Sequence, residues 1–406
     1  MVTDNWARNV TFGARAHERP TSVDELRALV VSADRVKVLG SGHSFNGIAD
    51  TTGTQVSLAG LPSQVDIDSG ARQARISAGL TYVDISPRLH AAGFALPNLA
   101  SLPHLTVAGA CATGTHGSGD HNGNLATAVA GIEMVTGSGD VVTINRGDDG
   151  FDGTVVALGR LGVITAMTLD LVPTYDITQY VYEDLPDEQL DADFDAIFAG
   201  GYSVSVFTDL LHNQTWCKRL ATDPPPGPTW FEAHAALQQL NPVPGRPAES
   251  GTPQLGVPGP WHERLPHVRW DFPAGDGSEL QSEYLLPRQH AVAALDVLRG
   301  LRDQIAPLLY VAEIRTVAAD ELWLSPMYRR PTVGFHFTWT SDAAAVAPVI
   351  TAIEGALAPF DPRPHWGKVF SQAVHYERMA DFVRLVETYD PNGTFGNEFV
   401  DGLVAQ

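Results

Sequence analysis

The stretch VLGSGHSFNG, residues 38–47, constrains the fold more than any other part of the chain. Gly40, Gly42 and Gly47 let the backbone come close to a phosphate or a ring, yet an imidazole, His43, sits at the centre of the turn. The loop fails the dinucleotide fingerprint: after Gly40-x-Gly42 the third glycine belongs at position 45, where Phe45 stands. No GxxxxGK[ST] motif occurs either, so nicotinamide and P-loop readings are weak. A second small-residue loop, ASLPHLTVAGACATGTHGSG at residues 100–119, offers free backbone N–H groups suited to an anion such as a pyrophosphate. The alternative for both loops is a tight turn with a polar residue in it. His116, Asp120 and His121 match no standard metal-ligand spacing, and no metal is expected.

Two such loops need a large scaffold, and the 406 residues allow two or three domains. A hydrophobic content of 44% and a charged content of 18% give ample core. The formal charge of -21 argues against nucleic acid or an anionic membrane as partner and favours a neutral or cationic small molecule. Two cysteines, Cys111 and Cys217, are too few for a disulfide framework. The N-terminus lacks an apolar leader pattern, and no run is expected to approach the ~18 residues of a membrane span, so a cytoplasmic monomer is the expectation.

The segment TSVDELRALVVSADRVKVLG predicts a capped helix followed by a strand at 36–39, with Ser22 and Glu25 at capping-box spacing. Short apolar strands with hairpin turns at DSGA and GSGD follow, to about residue 173. Thereafter YVYEDL, DEQLDADFDAIFAGG and YSVSVFTDLL read as strand, helix, strand. Residues 221–260 hold ten of the 28 prolines and read as a long surface excursion. ELQSEYLL, PRQHAVAALDVLRGLRDQI, LLYVAEIRTV, TVGFHFTWT and SDAAAVAPVITAIEGALAPF then alternate strands and helices, an antiparallel sheet covered by helices in a second α+β unit.

Two of those strands carry chemistry. Alternation puts Glu313 and Arg315 on one face of YVAEIRTV, and His336 and Thr338 opposite Phe335, Phe337 and Trp339 in GFHFTWT. Together they can form a polar pocket wall; a solvated face with an ordinary ion pair is the plain alternative. PHWGKVF adds His365 and Lys368, a lysine among bulky neighbours that is either desolvated or extended to water.

Gly-Ser-Gly-His-Ser at 40–44, Ser-Leu-Pro-His through Ala-Thr-Gly-Thr-His-Gly at 101–117, and His-Trp-Gly-Lys at 365–368 resemble the vanillyl-alcohol-oxidase-type flavoproteins. Within them the chain is similar to the aldonolactone and alditol oxidase branch over nearly its whole length, including VPGPWHERLPH, AEIRTVAAD, HFTW and RPHWGKVF. The resemblance implies a two-domain α+β fold. Its FAD-binding domain spans residues 1–173, completed by 370–406, and its substrate cap spans 174–369, with the site between them. It also implies FAD bonded covalently through the 8α carbon to His43, since that carbon is electrophilic in the quinone-methide tautomer and a neutral imidazole is a competent nucleophile. The implied cofactor contacts are Ser41, Gly42, Ser44, Ser101, Gly114, His116, Gly117, Ile164 and His365.

The activity so implied oxidises the terminal CH2OH of a linear polyol such as xylitol or sorbitol, with O2 reduced to H2O2. Arg315 and Lys368 would stabilise the developing alkoxide, and Ser101, Glu313, His336 and Thr338 would bind hydroxyls. Either His336 or Lys368 could take the proton. An aldonolactone oxidase acting on a cyclic lactone is the nearest alternative; a non-catalytic polyol-binding protein and a zinc hydrolase are rivals from other classes.

Overall fold

The computed structural model describes residues 3–273 and 275–404. The predicted first helix forms at Val23–Ser32 with Leu26 and Val30 on its buried face. Ser22 Oγ accepts from Glu25 N at 3.2 Å, while the Glu25 carboxylate accepts from Thr21 N at 2.7 Å, one residue earlier than a strict capping box requires. The helix joins a parallel sheet ordered Ala16–Glu18, Thr54–Val56, Val36–Val38. A five-stranded antiparallel sheet follows, ordered Val65–Asp68, Gln73–Ser77, Val163–Asp170, Val129–Val135, Val141–Asn145. Both predicted hairpins lie in it. The C-terminal helices Met379–Tyr389 and Glu398–Val404 put Phe382, Val386, Val400 and Leu403 into the same core as Leu89, Ile132 and Met134.

The rest of the chain builds a ten-stranded sheet. Its central run is Asp176–Glu183, Asn213–Leu220, Ser203–Thr208, Leu309–Val317, Thr332–Thr340, Glu279–Pro287, antiparallel throughout. Helices Ala291–Gly300 and Ala343–Leu357 pack on one face, where Leu295, Leu298, Ile350 and Ile353 meet Ile314, Phe335, Phe337 and Trp339. Period-two alternation therefore turns Glu313 and His336 to the other face, away from the helices. The proline-rich excursion differs from a plain loop: Thr229–Trp230, Ala233–Ala235 and Gly259–Pro260 pair at the sheet edge.

One expectation is corrected. Ala343–Phe360 forms an 18-residue helical stretch of mean hydropathy 1.6, as long and apolar as a membrane span. Its alanine content and its sheet-facing stripe of Val346, Val349, Ile350, Ile353 and Leu357 account for that figure.

Candidate active site

A cavity of about 890 Å³ lies between the glycine-rich loops and the helix-free face of the large sheet. The two loops touch: a Cβ on Gly40 would lie 2.3 Å from Thr106 Oγ1, so only glycine fits there. Three side-chain anchors hold the His43 turn. Asn5 Nδ2 donates to Ser44 O at 2.8 Å and Asn9 Nδ2 to Phe45 O at 2.8 Å. Asn46 Nδ2 donates to the carbonyls of Trp366 and Lys368 at 2.8 and 2.7 Å, which fixes His43 and Lys368 relative to one another. The Trp6 ring lies 4.2 Å from the His43 ring, centroid to centroid. Burial, then Lys368 and His104, push the imidazole pKa down to about 4, so His43 is neutral at pH 7.

Strand pairing assembles the polar wall. Glu283, His336 and Glu313 stand opposite one another on three adjacent strands, and pairing residues project to the same face. Arg315 pairs with Gly334, whose missing side chain leaves room for the carboxylate: a Cβ there would lie 3.3 Å from Glu283 Oε1. Arg315 Nη2 donates to Glu283 Oε1, and Lys368 Nζ donates to Glu283 Oε2 at 2.5 Å. Lys368 Nζ also lies 2.7 Å from His336 Nδ1, and His336 Nε2 lies 3.1 Å from Thr338 Oγ1. With the ammonium as donor, His336 is the Nε2–H tautomer and donates to Thr338, whose hydroxyl is then free to donate onward.

Burial raises the Glu283 carboxyl, but the Arg315 guanidinium and the Lys368 ammonium outweigh it and hold the group well below the usual carboxylate range. Glu313 is held low in the same way, by Arg315 and then His267 against burial. Burial pushes Lys368 down to about 8 against the pull of Glu283, and burial followed by Lys368 keeps His336 neutral. The cluster thus has a cation that titrates near neutrality beside an imidazole that does not. Such an arrangement can stabilise negative charge developing on a substrate oxygen.

Ser41, Gly42, His43, Ser44, Ser101, His116, Ile164, Glu313, Arg315, His336, Thr338, His365 and Lys368, all singled out by sequence, line this one cavity. His365 accepts from Gly367 N at 3.1 Å through Nδ1, and its Nε2 lies 3.4 Å from Thr115 Oγ1. Gly114 and Gly117 stand outside the lining: the Cβ position of Gly114 faces Pro326, and that of Gly117 faces Leu99 O. They shape the loop without forming the cavity wall. The sequence reading missed Glu283, the hub of both cations, although Gln281 and Glu283 alternate in ELQSEYLL as Glu313 and Arg315 do in their strand. It also left Trp6 and His267 without a role.

The lining suits a long cofactor with a fused-ring end. The glycine loops give close backbone approach, and a neutral imidazole and the polar wall line the same cavity. Residues 14–145 match the family model described as FAD binding domain, and residues 278–403 match that of D-arabinono-1,4-lactone oxidase. An alditol oxidase of Streptomyces sp. strain IKD472 is 48% identical over 98% of both chains. The chain belongs to the alditol oxidase family. An L-gulono-1,4-lactone dehydrogenase of Mycobacterium tuberculosis is more distant, 27% identical over 98% of both chains. A cholesterol oxidase from B. sterolicum superposes with a TM-score of 0.78 at 13% identity, covering 99% of this chain and 96% of that one, a likeness of fold alone. This alditol oxidase family member is an FAD-dependent oxidoreductase of two-domain α+β fold.

Proposed function

We propose that this enzyme oxidises the terminal CH2OH of an open-chain alditol, such as xylitol or sorbitol, to the aldehyde, with O2 reduced to H2O2. Residues 1–173 with 370–406 serve as the FAD-binding domain and 174–369 as the cap. His43 would hold FAD through a covalent link, and the bound flavin would supply a hydride acceptor and a route for the two electrons to O2. Ser41, Gly42, Ser44, Ser101, His116, Ile164 and His365 would hold it from the cavity wall, with Gly114 and Gly117 behind them. A neutral His43 is the nucleophilic form of imidazole, which supports the linkage.

The chain's own part is to bind and polarise the alcohol. Lys368 and Arg315 donate to the reacting oxygen, whose negative charge grows as its hydroxyl proton is lost. The hydroxyl proton goes to His336 Nδ1 as the Lys368 N–H turns from that nitrogen to the substrate oxygen, because the imidazole is neutral while the lysine already carries its proton. Ser101, Glu313 and Thr338 pair with the remaining hydroxyls, each of which needs a partner once water is excluded.

The observation that carries this reading is the row of separate polar groups, Glu283, His336 and Glu313 with Arg315 and Thr338, spread across three strands and joined at the Glu283 end by Lys368. A row suits a chain of hydroxyls better than a compact ring. The match of residues 278–403 to the D-arabinono-1,4-lactone oxidase model supports the alternative, a cyclic lactone substrate. Oxygen consumption with glycerol, xylitol, sorbitol and a gulonolactone decides between them. Xylitol and sorbitol are expected to drive oxygen uptake with matching peroxide; uptake with the lactone alone overturns the reading.

A further inference from the structure

Several buried polar groups lie outside the roles assigned so far, and one set converges on Glu313. His267 follows the proline-rich excursion, after the short helix Trp261–Arg264, and belongs to no strand or helix. Its backbone N–H donates to Ser101 O at 3.0 Å, the adjacent Val268 N–H donates to the same carbonyl at 3.1 Å, and Thr252 N donates to His267 O at 3.0 Å. Just before it, the buried Lys218 ammonium donates to the carbonyls of Leu265 and, at 3.1 Å, Pro266. Thr252 Oγ1 also donates to Pro266 O at 2.7 Å. The ring is set edge-on to Phe207 and Trp216, with centroids at 5.1 and 5.4 Å. A side chain fixed this thoroughly has one orientation.

That orientation serves Glu313. His267 Nε2 lies 3.2 Å from Glu313 Oε1 and 3.5 Å from Ser205 Oγ, while Nδ1 is buried with no partner among the described residues. An ionised carboxylate only accepts, so Nε2 carries the hydrogen and donates. Burial, then Lys218, push the imidazole pKa down to about 4, so the ring brings a hydrogen bond and no charge. Arg315 Nε, at 3.6 Å from Glu313 Oε2, is too far for a hydrogen bond. His267 is therefore the side chain that fixes the rotation of the Glu313 carboxylate. Lys368 and Glu283 lie at the opposite end of the same polar row, with His336 between.

We propose that His267 is a positioning residue that presents Glu313 to the substrate hydroxyls farthest from the reacting carbon, and so sets the preference for long alditols. The inference rests on the alditol reading above. It requires a substrate long enough to run from Lys368 to Glu313, which glycerol, two carbons shorter than xylitol, does least well.

The test is steady-state oxygen uptake by flavin-loaded parent, His267→Phe, His267→Asn, His267→Gln, Glu313→Gln and the double variant His267→Phe/Glu313→Gln, each with xylitol and glycerol. Gln places an amide near the Nε2 position and should retain most of the parent's preference. Phe and Asn cannot donate to Glu313, and Asn keeps the site polar should Phe fail to fold. Phe and Asn are expected to raise the KM for xylitol roughly 10-fold, with kcat within about twofold, the loss of one charge-assisted hydrogen bond. Glycerol kcat/KM should fall less than about threefold. On the Glu313→Gln background, His267→Phe should cost little more, because it acts through the lost carboxylate. Equal losses for xylitol and glycerol, or full additivity with Glu313→Gln, overturn the positioning role while leaving the alditol reading intact. A parent that consumes oxygen with no alditol overturns that reading and this inference with it.

Discussion

Lys368→Met is the perturbation that most directly tests the chemistry. In the parent the ammonium lies 2.5 Å from Glu283 Oε2 and 2.7 Å from His336 Nδ1, so its position is fixed before substrate arrives. A unit charge at a hydrogen-bond distance of ~3 Å, with an effective dielectric of ~20, interacts by about 5 kcal/mol. If the substrate oxygen carries roughly half a charge at the transition state, the ammonium contributes about 3 kcal/mol there and far less to the neutral ground state. Deleting it should lower kcat about 100-fold and change KM much less. Methionine keeps the volume of the stem, and Arg315 still pairs with Glu283, so the fold and the visible flavin spectrum should persist. The assay is anaerobic flavin reduction by xylitol in a stopped-flow instrument, which separates hydride transfer from reoxidation.

The charge on Lys368 also fixes a pH limb. Lys368 has a pKa of about 8, so raising pH through that value removes the cation and the saturated reduction rate should fall. Were the lysine the base instead, it would work only when deprotonated and the rate would rise through the same range. Lys368→Arg should move the falling limb upward, and Lys368→Met should abolish it. A parent rate that climbs between pH 7 and 9, or a methionine variant that reduces flavin at the parent rate once saturated, refutes the assigned role.

Further outcomes can be checked independently. Acid-precipitated parent should remain yellow, with the flavin on a peptide containing residues 40–45, whereas His43→Ala should release all its flavin; Trp6→Ala, which frees the His43 ring from its 4.2 Å neighbour, should lower the covalent fraction. Xylitol should exceed glycerol in kcat/KM by roughly 10- to 50-fold, two neutral hydrogen bonds at ~1 kcal/mol each, measured by oxygen uptake. Lys218, pushed by burial to about 7 from its ordinary 10.5, binds fewer protons in the folded than in the unfolded chain between those values, so stability rises with pH across that window. Lys218→Met should remove that share, roughly 2 kcal/mol of the parent's gain from pH 7 to 9, read from denaturation midpoints.

What the sequence shows of this enzyme follows the range of each interaction. Glu313, Arg315, His336 and Thr338 are legible because a strand has period two, and the opposite face is marked apolar by Ala312 and Ile314 in one strand and by Phe335, Phe337 and Trp339 in the other. The hairpins at DSGA and GSGD are legible for the same local reason. Glu283 is not, although it obeys the same alternation. A carboxylate among Glu279 and Gln281 reads as a wet face until the register places it opposite His336 and beside Arg315. Lys368 depends on contacts still more remote, since the Asn46 amide that pins its carbonyl lies 322 residues away. His267 lies in a segment with no periodicity at all, and only the folded chain brings it to Glu313.

The charge arrangement explains why those long-range contacts matter to the reaction. Glu283 and Glu313 are anionic, Arg315 and Lys368 cationic, and His43, His267 and His336 neutral, so these groups sum to zero at pH 7. A neutral polyol enters such a site without burying an unbalanced charge, whereas an anionic sugar acid would add one inside a protein of formal charge -21. Glu283 shares its two oxygens between the two cations, so neither is free to bind a ground-state anion tightly, yet both are oriented. Negative charge appears on an oxygen between them only as the hydroxyl gives up its proton on the way to hydride transfer. The balance is then tipped in the transition state alone, and an interaction confined to the transition state raises kcat.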